Sequence, residues 1–454
     1  MTLRDYLKQQ GYTTVSADYL ALVDRWGQWY QGNVKDFHSY TIFNGTKHVR
    51  RTRAQLNMAK QGAEYWANLL WNNDCFITLD DERSQAQLDA ITAQNDFTRR
   101  TNMLVEQAFA LGTGAYVVYK TPEGNKIEYL PAGRIYPLEW DGDDCRSCAF
   151  ANISMGEGNK RTLYLMIHMR QPNGSYRIFN EFFSMAETSD DLTKIPTPPG
   201  VLDSYRAETK RFALVRPNIV NNADAAPMGV SIYGNSIDIL KCLDLAFDGV
   251  KVSMELGRPR VAISASAAKF DPNTIDPVFD PNDIAFYQLE PIGDPKGKEI
   301  IQDLTTPYRA GEFELSLQRA LTLYSQQIGL GDKAFRWDSV SRGAVTATQV
   351  IAENGSMLRT MEKHQDGLRS AITDVTRAVL DVAGIRYSGK ILIQFDDSAT
   401  RDRAGERARF WQFVTAGLFP FWRYLMEFEG YSEQDAKDIE AQAKSGEIDF
   451  PGEE

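Results

Sequence analysis

The chain has 454 residues and a formal net charge of −11, from 50 Lys and Arg against 61 Asp and Glu. Its 43% hydrophobic and 24% charged content is that of a folded protein, which excludes a chain dominated by disorder. No run reaches the ~18 uninterrupted apolar residues of a membrane span, the start reads as no secretory leader, and four cysteines are too few for a disulfide framework.

Length alone suggests roughly two to three domains. The acidic balance argues against tight capture of nucleic acid by a single copy. Residues 1–80 read as mostly helical. The clearest segment spans 50–73, where Leu56, Ala59, Ala63, Trp66 and Leu70 form one apolar stripe, widened by Tyr65, Leu69 and Trp71. At its head lies the densest basic run, Lys47-His48-Val49-Arg50-Arg51-Thr52-Arg53. It reads as a solvated lead-in to that helix, with phosphate contact as the competing reading. A second helix near 97–111 carries Met103, Leu104, Phe109 and Leu111 and stops at Gly112.

The period then changes. Residues 115–120 and 126–130 are β-prone around the turn Pro122-Glu123-Gly124-Asn125. Leu163, Leu165, Ile167 and Met169 alternate along one strand. Pro172-Asn173-Gly174 supplies a turn, and Tyr176, Ile178 and Phe182 return. The region 112–220 is therefore β-rich, with a Pro-rich loop at 195–199.

From Gly234 the helical period resumes, through Ile237, Leu240, Leu243, Phe247, Val250 and Met254. A second helix over 311–328 keeps Phe313, Leu317, Leu321, Tyr324 and Ile328 in register. Between them, residues 258–309 hold seven of the 18 prolines, a density that forbids a long helix and suggests a small mixed module. The strongest signal follows. Thr346 and Gln349 fit capping-box spacing. Val350, Asn354, Met357, Met361, His364, Leu368, Ile372, Val375, Val379 and Val382 then recur every three to four residues up to Gly384. Such a helix would be roughly 55 Å long. A strand at 391–395 and terminal helices broken at Gly417 and Gly430 complete the chain, with Ser432 capping the last.

No constellation makes a convincing active site. Cys145-Arg146-Ser147-Cys148 has zinc-like spacing, but Cys75, Cys242 and His168 are scattered singly and supply no second pair. Asp141, Asp143 and Asp144 resemble the start of a calcium loop without its central glycine or terminal glutamate, and read as a polar turn. Asp396-Asp397 after a strand offers a nuclease-like carboxylate pair without partners. His38, His48, His168 and His364 are dispersed; His168 and His364 sit where packing or hydrogen bonding is expected of them. There is no GxxxxGK[ST], HExxH or G-x-S-x-G. No catalytic residue, metal or cofactor is expected, and the chain reads as a non-enzyme.

The order of parts and several strings resemble the portal proteins of tailed bacteriophages. These strings are residues 53–60 (RAQLNMAK), 134–141 (RIYPLEWD), 346–350 (TATQV) and 394–397 (QFDD). The resemblance implies an α+β, predominantly helical fold of portal type. It comprises a wing over 1–233, a stem helix over 234–257, a small α/β clip over 258–309 and a second stem helix over 310–331. A tunnel loop over 332–345, a long bridging helix over 346–384 and a wing strand over 385–400 follow. A short helical crown with an acidic tail fills 401–454. It also implies a ring, typically of twelve subunits, at one capsid vertex, serving DNA packaging and ejection. The implied partners are double-stranded DNA, the terminase large subunit, major capsid and scaffolding proteins and a head-tail adaptor, with no membrane. The implied location is the virion, after assembly in the host bacterial cytoplasm.

Within the tunnel loop, Lys333, Arg336 and Arg342 are candidates for weak, exchangeable phosphate contacts. Phe335 and Trp337 either line the channel with them or pack the loop on a neighbouring subunit. Competing readings are another head or neck structural protein, such as an adaptor or scaffold, and a metal-dependent nuclease using Asp396 or Asp141.

Overall fold

A computed structural model describes residues 2–43, 47–122, 124–156, 161–185, 191–256, 260–264, 285–289, 302–303, 310–332, 334–335, 347–396 and 403–445. In chain order, α1 (Leu3–Gln9), α2 (Ala17–Tyr30) and α3 (Lys35–His38) precede a hairpin of β1 (Ser39–Phe43) and β2 (His48–Thr52). Then come α4 (Met58–Leu70), β3 (Phe76–Thr78), α5 (Glu82–Gln94) and α6 (Phe97–Leu111). The β-rich part runs β4 (Gly114–Thr121), β5 (Gly124–Pro131), β6 (Ile135–Asp141), β7 (Asp144–Met155), β8 (Arg161–Arg170), β9 (Tyr176–Met185), β10 (Leu192–Ile195), β11 (Ser204–Ala207) and β12 (Phe212–Val215). After it come α7 (Ile237–Leu256), β13 (Arg260–Ser264), β14 (Ala285–Leu289), β15 (Gln302–Asp303) and α8 (Ala310–Gln327). The chain continues through α9 (Ala347–Ala383), β16 (Leu392–Gln394), α10 (Arg403–Thr415), α11 (Phe421–Glu429) and α12 (Glu433–Ser445). The fold is mixed, with helix outweighing strand.

The larger sheet has the order β10-β9-β8-β7-β6, with β11 also on β9, and is antiparallel throughout. Helix α1 covers one face of it: Leu3, Tyr6 and Leu7 join Leu163, Leu165 and Phe183 in a separate apolar cluster. A second sheet, β12-β4-β5, lies against α6 and α9. Helix α9 meets it with the periodic stripe: Met357, Met361, His364, Leu368, Ile372, Val375, Val379 and Val382 are all buried. Each apolar member contributes about 1.5–3 kcal/mol by leaving water, and the stripe is what holds this helix to the body. Val350 and Asn354 of that stripe, like the cap Thr346, fall outside the residues whose side chains are described.

Two corrections to the sequence reading concern the N-terminal part. The helix expected over 50–73 begins only at Met58, and the basic run ahead of it is strand β2, paired antiparallel with β1 from Ser39↔Thr52 to Phe43↔His48. Asn57, with φ 55°, turns the chain between them. The stripe itself is buried at Ala59, Ala63, Trp66 and Leu70. The C-terminal boundary of α6 lies at Gly112, where φ is +86° and the backbone approaches a second glycine. A Cβ at Gly112 would lie 2.5 Å from the Gly229 carbonyl oxygen, so neither strand of this crossing tolerates a side chain. Thr113 Oγ1 accepts from Gly229 N at 2.9 Å and Tyr19 Oη donates to Gly229 O at 2.5 Å, fixing the loop that leads into α7.

In the proline-rich stretch, β13 pairs parallel with β14 and antiparallel with β15. Strand β16 returns to pair with β3. Ser432 Oγ accepts from Asp435 N at the start of α12.

Candidate functional site: a helical pair and its anchored exit

Helices α7 and α8 pack against each other with opposite directions, since Gly249 near the end of α7 meets Phe313 near the start of α8. A Cβ at Gly249 would come within 2.5 Å of the Phe313 ring, so the pair is closer there than any larger residue permits. One face of the pair joins the core through Leu240, Leu243, Leu317, Leu321 and Tyr324. Outside the core the pair leaves Leu245 (46% exposed), Met254 (57%), Leu315 (53%) and Leu323 (53%) in water, with Leu245 and Met254 on opposite sides of α7 by their nine-residue spacing. Four large apolar side chains on one helical pair exceed the scatter of single exposed residues that needs no explanation.

The root of the pair is held by carboxylates. Asp244 Oδ1 accepts from Leu56 N at 2.9 Å, and Asp248 Oδ1 accepts from Ala54 N at 2.8 Å. The second Asp244 oxygen lies 2.9 Å from His38 Nε2, and both residues are buried. His38 Nδ1 accepts from Val34 N at 3.0 Å, so Nε2 carries the proton and a neutral imidazole donates to the carboxylate. One aspartate thus ties α3, the linker before α4 and α7 together.

The far end of α8 is pinned to α4. Tyr324 Oη donates to Met58 O at 2.9 Å, and Trp66 Nε1 donates to Ile328 O at 2.9 Å. Burial pushes the Tyr324 phenol up, so it stays a donor. Leu330 N returns to Ser325 O at 2.9 Å around Gly329, whose φ of +83° is the left-handed cap that ends a helix this way. A Cβ there would meet Thr360 of α9 at 2.8 Å. Gly331, with φ +77°, redirects the chain again.

Of the five loop residues singled out in the sequence, Phe335 is described and half-buried. Its ring lies 5.8 Å from Tyr65 and 6.1 Å from Tyr324, both of the same chain. This contact covers Tyr65 of the α4 stripe. Lys333, Arg336, Trp337 and Arg342 lie outside the described residues. Sequence reasoning missed the Asp244–His38 tie and the aromatic seat of Phe335; the glycines at 329 and 331 were the available sign that the chain turns sharply there.

The remaining candidates have packing or turn environments. Cys145 and Cys148 are buried on β7, and their thiols point to the Ser147 and Ala149 carbonyls. Burial pushes the Cys148 thiol well up, so it is a thiol rather than a thiolate. Asp141 and Asp144 close the β6–β7 turn opposite each other and both pair with Arg146. Asp396 accepts from Asn72 Nδ2 at 2.8 Å; Asp397 lies outside the described residues. His168 sits between Phe150 and Phe212, and its pKa is lowered to about 3 by burial and then by Arg211. His364 lies against Trp66 and Phe109, accepts from Asn218 N at 3.0 Å, and is lowered to about 4 by burial and then by Lys363. Among the described residues there is no cluster of three or more His, Cys, Asp or Glu arranged to hold a metal. No described helix is long and apolar enough to cross a membrane.

A family model described as "Phage portal protein, SPP1 Gp6-like" matches residues 14–447. Among solved structures, the chain is similar to a chain of the neck of a native GTA particle, computed with C12 symmetry. That similarity has a TM-score of 0.39 and 11% identity, and covers 82% of this chain and 88% of the other. No curated protein matches it.

Proposed function

The chain belongs to the SPP1 Gp6-like family of phage portal proteins, and from that premise we propose that it works as a closed homo-oligomeric ring, typically of twelve copies, at one vertex of the phage capsid. In this reading α7 and α8 are the stem around the channel, residues 258–309 form the clip and 332–345 the tunnel loop. Helix α9 bridges wing and crown, residues 385–400 return as the wing strand, and α10–α12 build a short crown. Duplex DNA passes during packaging and ejection. The terminase large subunit and later the head-tail adaptor dock on the ring from outside, and capsid and scaffolding proteins surround it. The work is mechanical, and no residue is assigned a catalytic role.

The observation that carries this reading is the apolar surface that the stem pair leaves exposed on more than one side: Leu245, Met254, Leu315 and Leu323. A monomer leaves these side chains in water, whereas a ring covers them against the adjacent copy, and each fully covered side chain gains about 1.5–3 kcal/mol. The net charge of −11 per copy suits a conduit for a polyanion, because a wall that neutralises few phosphates offers few binding wells.

Sedimentation and electron imaging of the purified full-length protein test the reading. The expected particle is a ring with a central opening wide enough for duplex DNA. Replacing Leu245, Leu315 and Leu323 together by Ser should release smaller species. A compact single-copy particle at all concentrations overturns it.

A further inference from the structure

The hairpin β1–β2 is anomalous as a folded element. None of its ten strand residues is buried, and among the described elements its one substantial neighbour is the single-turn helix α3. A two-stranded hairpin exposed on both faces is marginal in water and needs a covering surface to be stable. Phe43 near its tip is 62% exposed, and Ile42 beside it is also exposed. Residues 39–53 contain Lys47, Arg50, Arg51 and Arg53 and no carboxylate. The root is firm: Arg53 lies over the Phe37 and Tyr40 rings, and Asp244 and Asp248 hold the segment that follows.

Elsewhere on the chain is a surface with the opposite chemistry. A cleft of about 790 Å³ opens between the β6–β7 turn, the loop preceding α7 and the middle of α9. Its lining presents Asp143, Asp144, Asp224, Asp366 and Asp374 against Lys210 and Arg216. Arg216 Nη1 is already engaged by the Asp143 and Pro227 carbonyl oxygens. Lys210 lies 3.9 Å from Asp144 and over the Phe212 ring; Asp224 accepts from Ser16 Oγ and Ala226 N, and outside the lining Arg146, Arg369 and Arg377 reach Asp144, Asp366 and Asp374. Burial raises the Asp374 carboxyl even with Lys210 and Arg377 acting on it. Val220, 82% exposed, and the exposed Ile219 add an apolar strip to the same lining.

We propose that the β1–β2 hairpin of one copy inserts into this cleft of the next copy, with Arg50 and Phe43 on one of its faces and Arg51 and Ile42 on the other, so that each face brings one cation to the aspartates and one apolar side chain toward Ile219 and Val220. Hairpin and cleft are different patches of one chain, so the contact is head-to-tail, the type that repeats around a closed ring. The proposal rests on the ring reading above and names its lateral bond. Opposite charge, an apolar tip matched to an apolar strip, and an element that lacks cover on its own chain all favour a second copy as the occupant. A duplex would engage the cations but leave Phe43 in water.

Charge exchange in the full-length protein tests it. One variant carries Arg50→Glu and Arg51→Glu; the other carries Asp143→Lys and Asp366→Lys. All four positions are exposed, and unchanged circular dichroism and melting of the dissociated chains establish that each variant folds. Either variant alone should need roughly tenfold or more protein than wild type to form rings, because like charges now meet. An equimolar mixture should restore rings, since alternating copies again place opposite charges together at every contact. Rings of wild-type stability from either variant alone, or no recovery in the mixture, overturn the docking while leaving the ring intact as an idea. Loss of DNA binding without loss of rings also overturns it. Failure of the wild-type chain to form rings at all instead defeats the functional reading beneath it.

Discussion

At the residue scale, two of the buried histidines, His168 and His364, give the clearest pH dependence. Among the described residues His168 has no hydrogen-bond partner for either ring nitrogen, and burial holds its pKa at about 3 in the folded state. The unfolded chain binds a proton near pH 6.5 while the native state refuses it. Stability from this source is therefore full above pH ~6.5 and is lost as pH falls, by up to about 1.4 kcal/mol per pH unit. His364, at about 4, adds the same sign over a shorter range. Replacing His168 by Leu removes both the unsatisfied nitrogens and the titration. In urea unfolding, the advantage of His168→Leu over wild type should grow by about 2 kcal/mol between pH 7 and pH 5. An equal gap at both pH values would show that the imidazole titrates in the folded state. That His364 packs rather than reacts was legible in the sequence, because it falls on the apolar stripe of α9; His168 sits between the alternating apolar residues of its strand, and its burial against Phe150 and Phe212 was not legible there. That Phe335 finds Tyr65 and Tyr324 of its own chain was not, since nothing in a local pattern encodes a meeting of residues so far apart in sequence.

At the element scale, legibility followed how local the signal was. The stripe of α9, the Asn173-Gly174 turn and the stop at Gly112 are each written within a few residues, and each element forms where its period or turn chemistry places it. The hairpin β1–β2 escaped because both its faces are exposed, so it shows no alternation of apolar and polar residues. Its basic strand instead read as the head of the helix behind it. The close approach of α7 and α8 was equally invisible, although a mid-helix glycine that costs about 1 kcal/mol relative to Ala asks for a packing reason. Here the reason is the Phe313 ring. Gly249→Ala should therefore destabilise the pair by about 1–3 kcal/mol despite its better helix propensity. Adding Phe313→Leu should recover most of that loss. Thermal melting of the two variants decides the matter: a Gly249→Ala protein as stable as wild type means that the ring moves aside freely.

At the scale of the whole molecule, the proposed function makes the loop after α8 the part of the channel that faces DNA. The three cations Lys333, Arg336 and Arg342 stand against the acidic balance of the rest of the chain. If they make passing contacts with phosphates, neutralising all three to Ala should change the length or retention of packaged DNA, measured from purified particles, while leaving ring formation intact. Unchanged packaging removes them from the DNA path. Phe335→Ala separates the neighbouring question. Its seat on Tyr65 and Tyr324 fixes where the loop leaves the body, so its loss should expose the segment to protease in the isolated ring, before any DNA is present.

The shared carboxylate of Asp244 has a mechanical corollary. A single side chain grips His38 on one side and the Leu56 amide on the other, and the β1–β2 hairpin is strung between those two grips. Helix and hairpin thus form one lever with its fulcrum at a buried residue. In the proposed ring, a tilt of α7 would act directly on the root of the hairpin, and a motion begun beside the bore would reach the seam between copies without passing through the long helix.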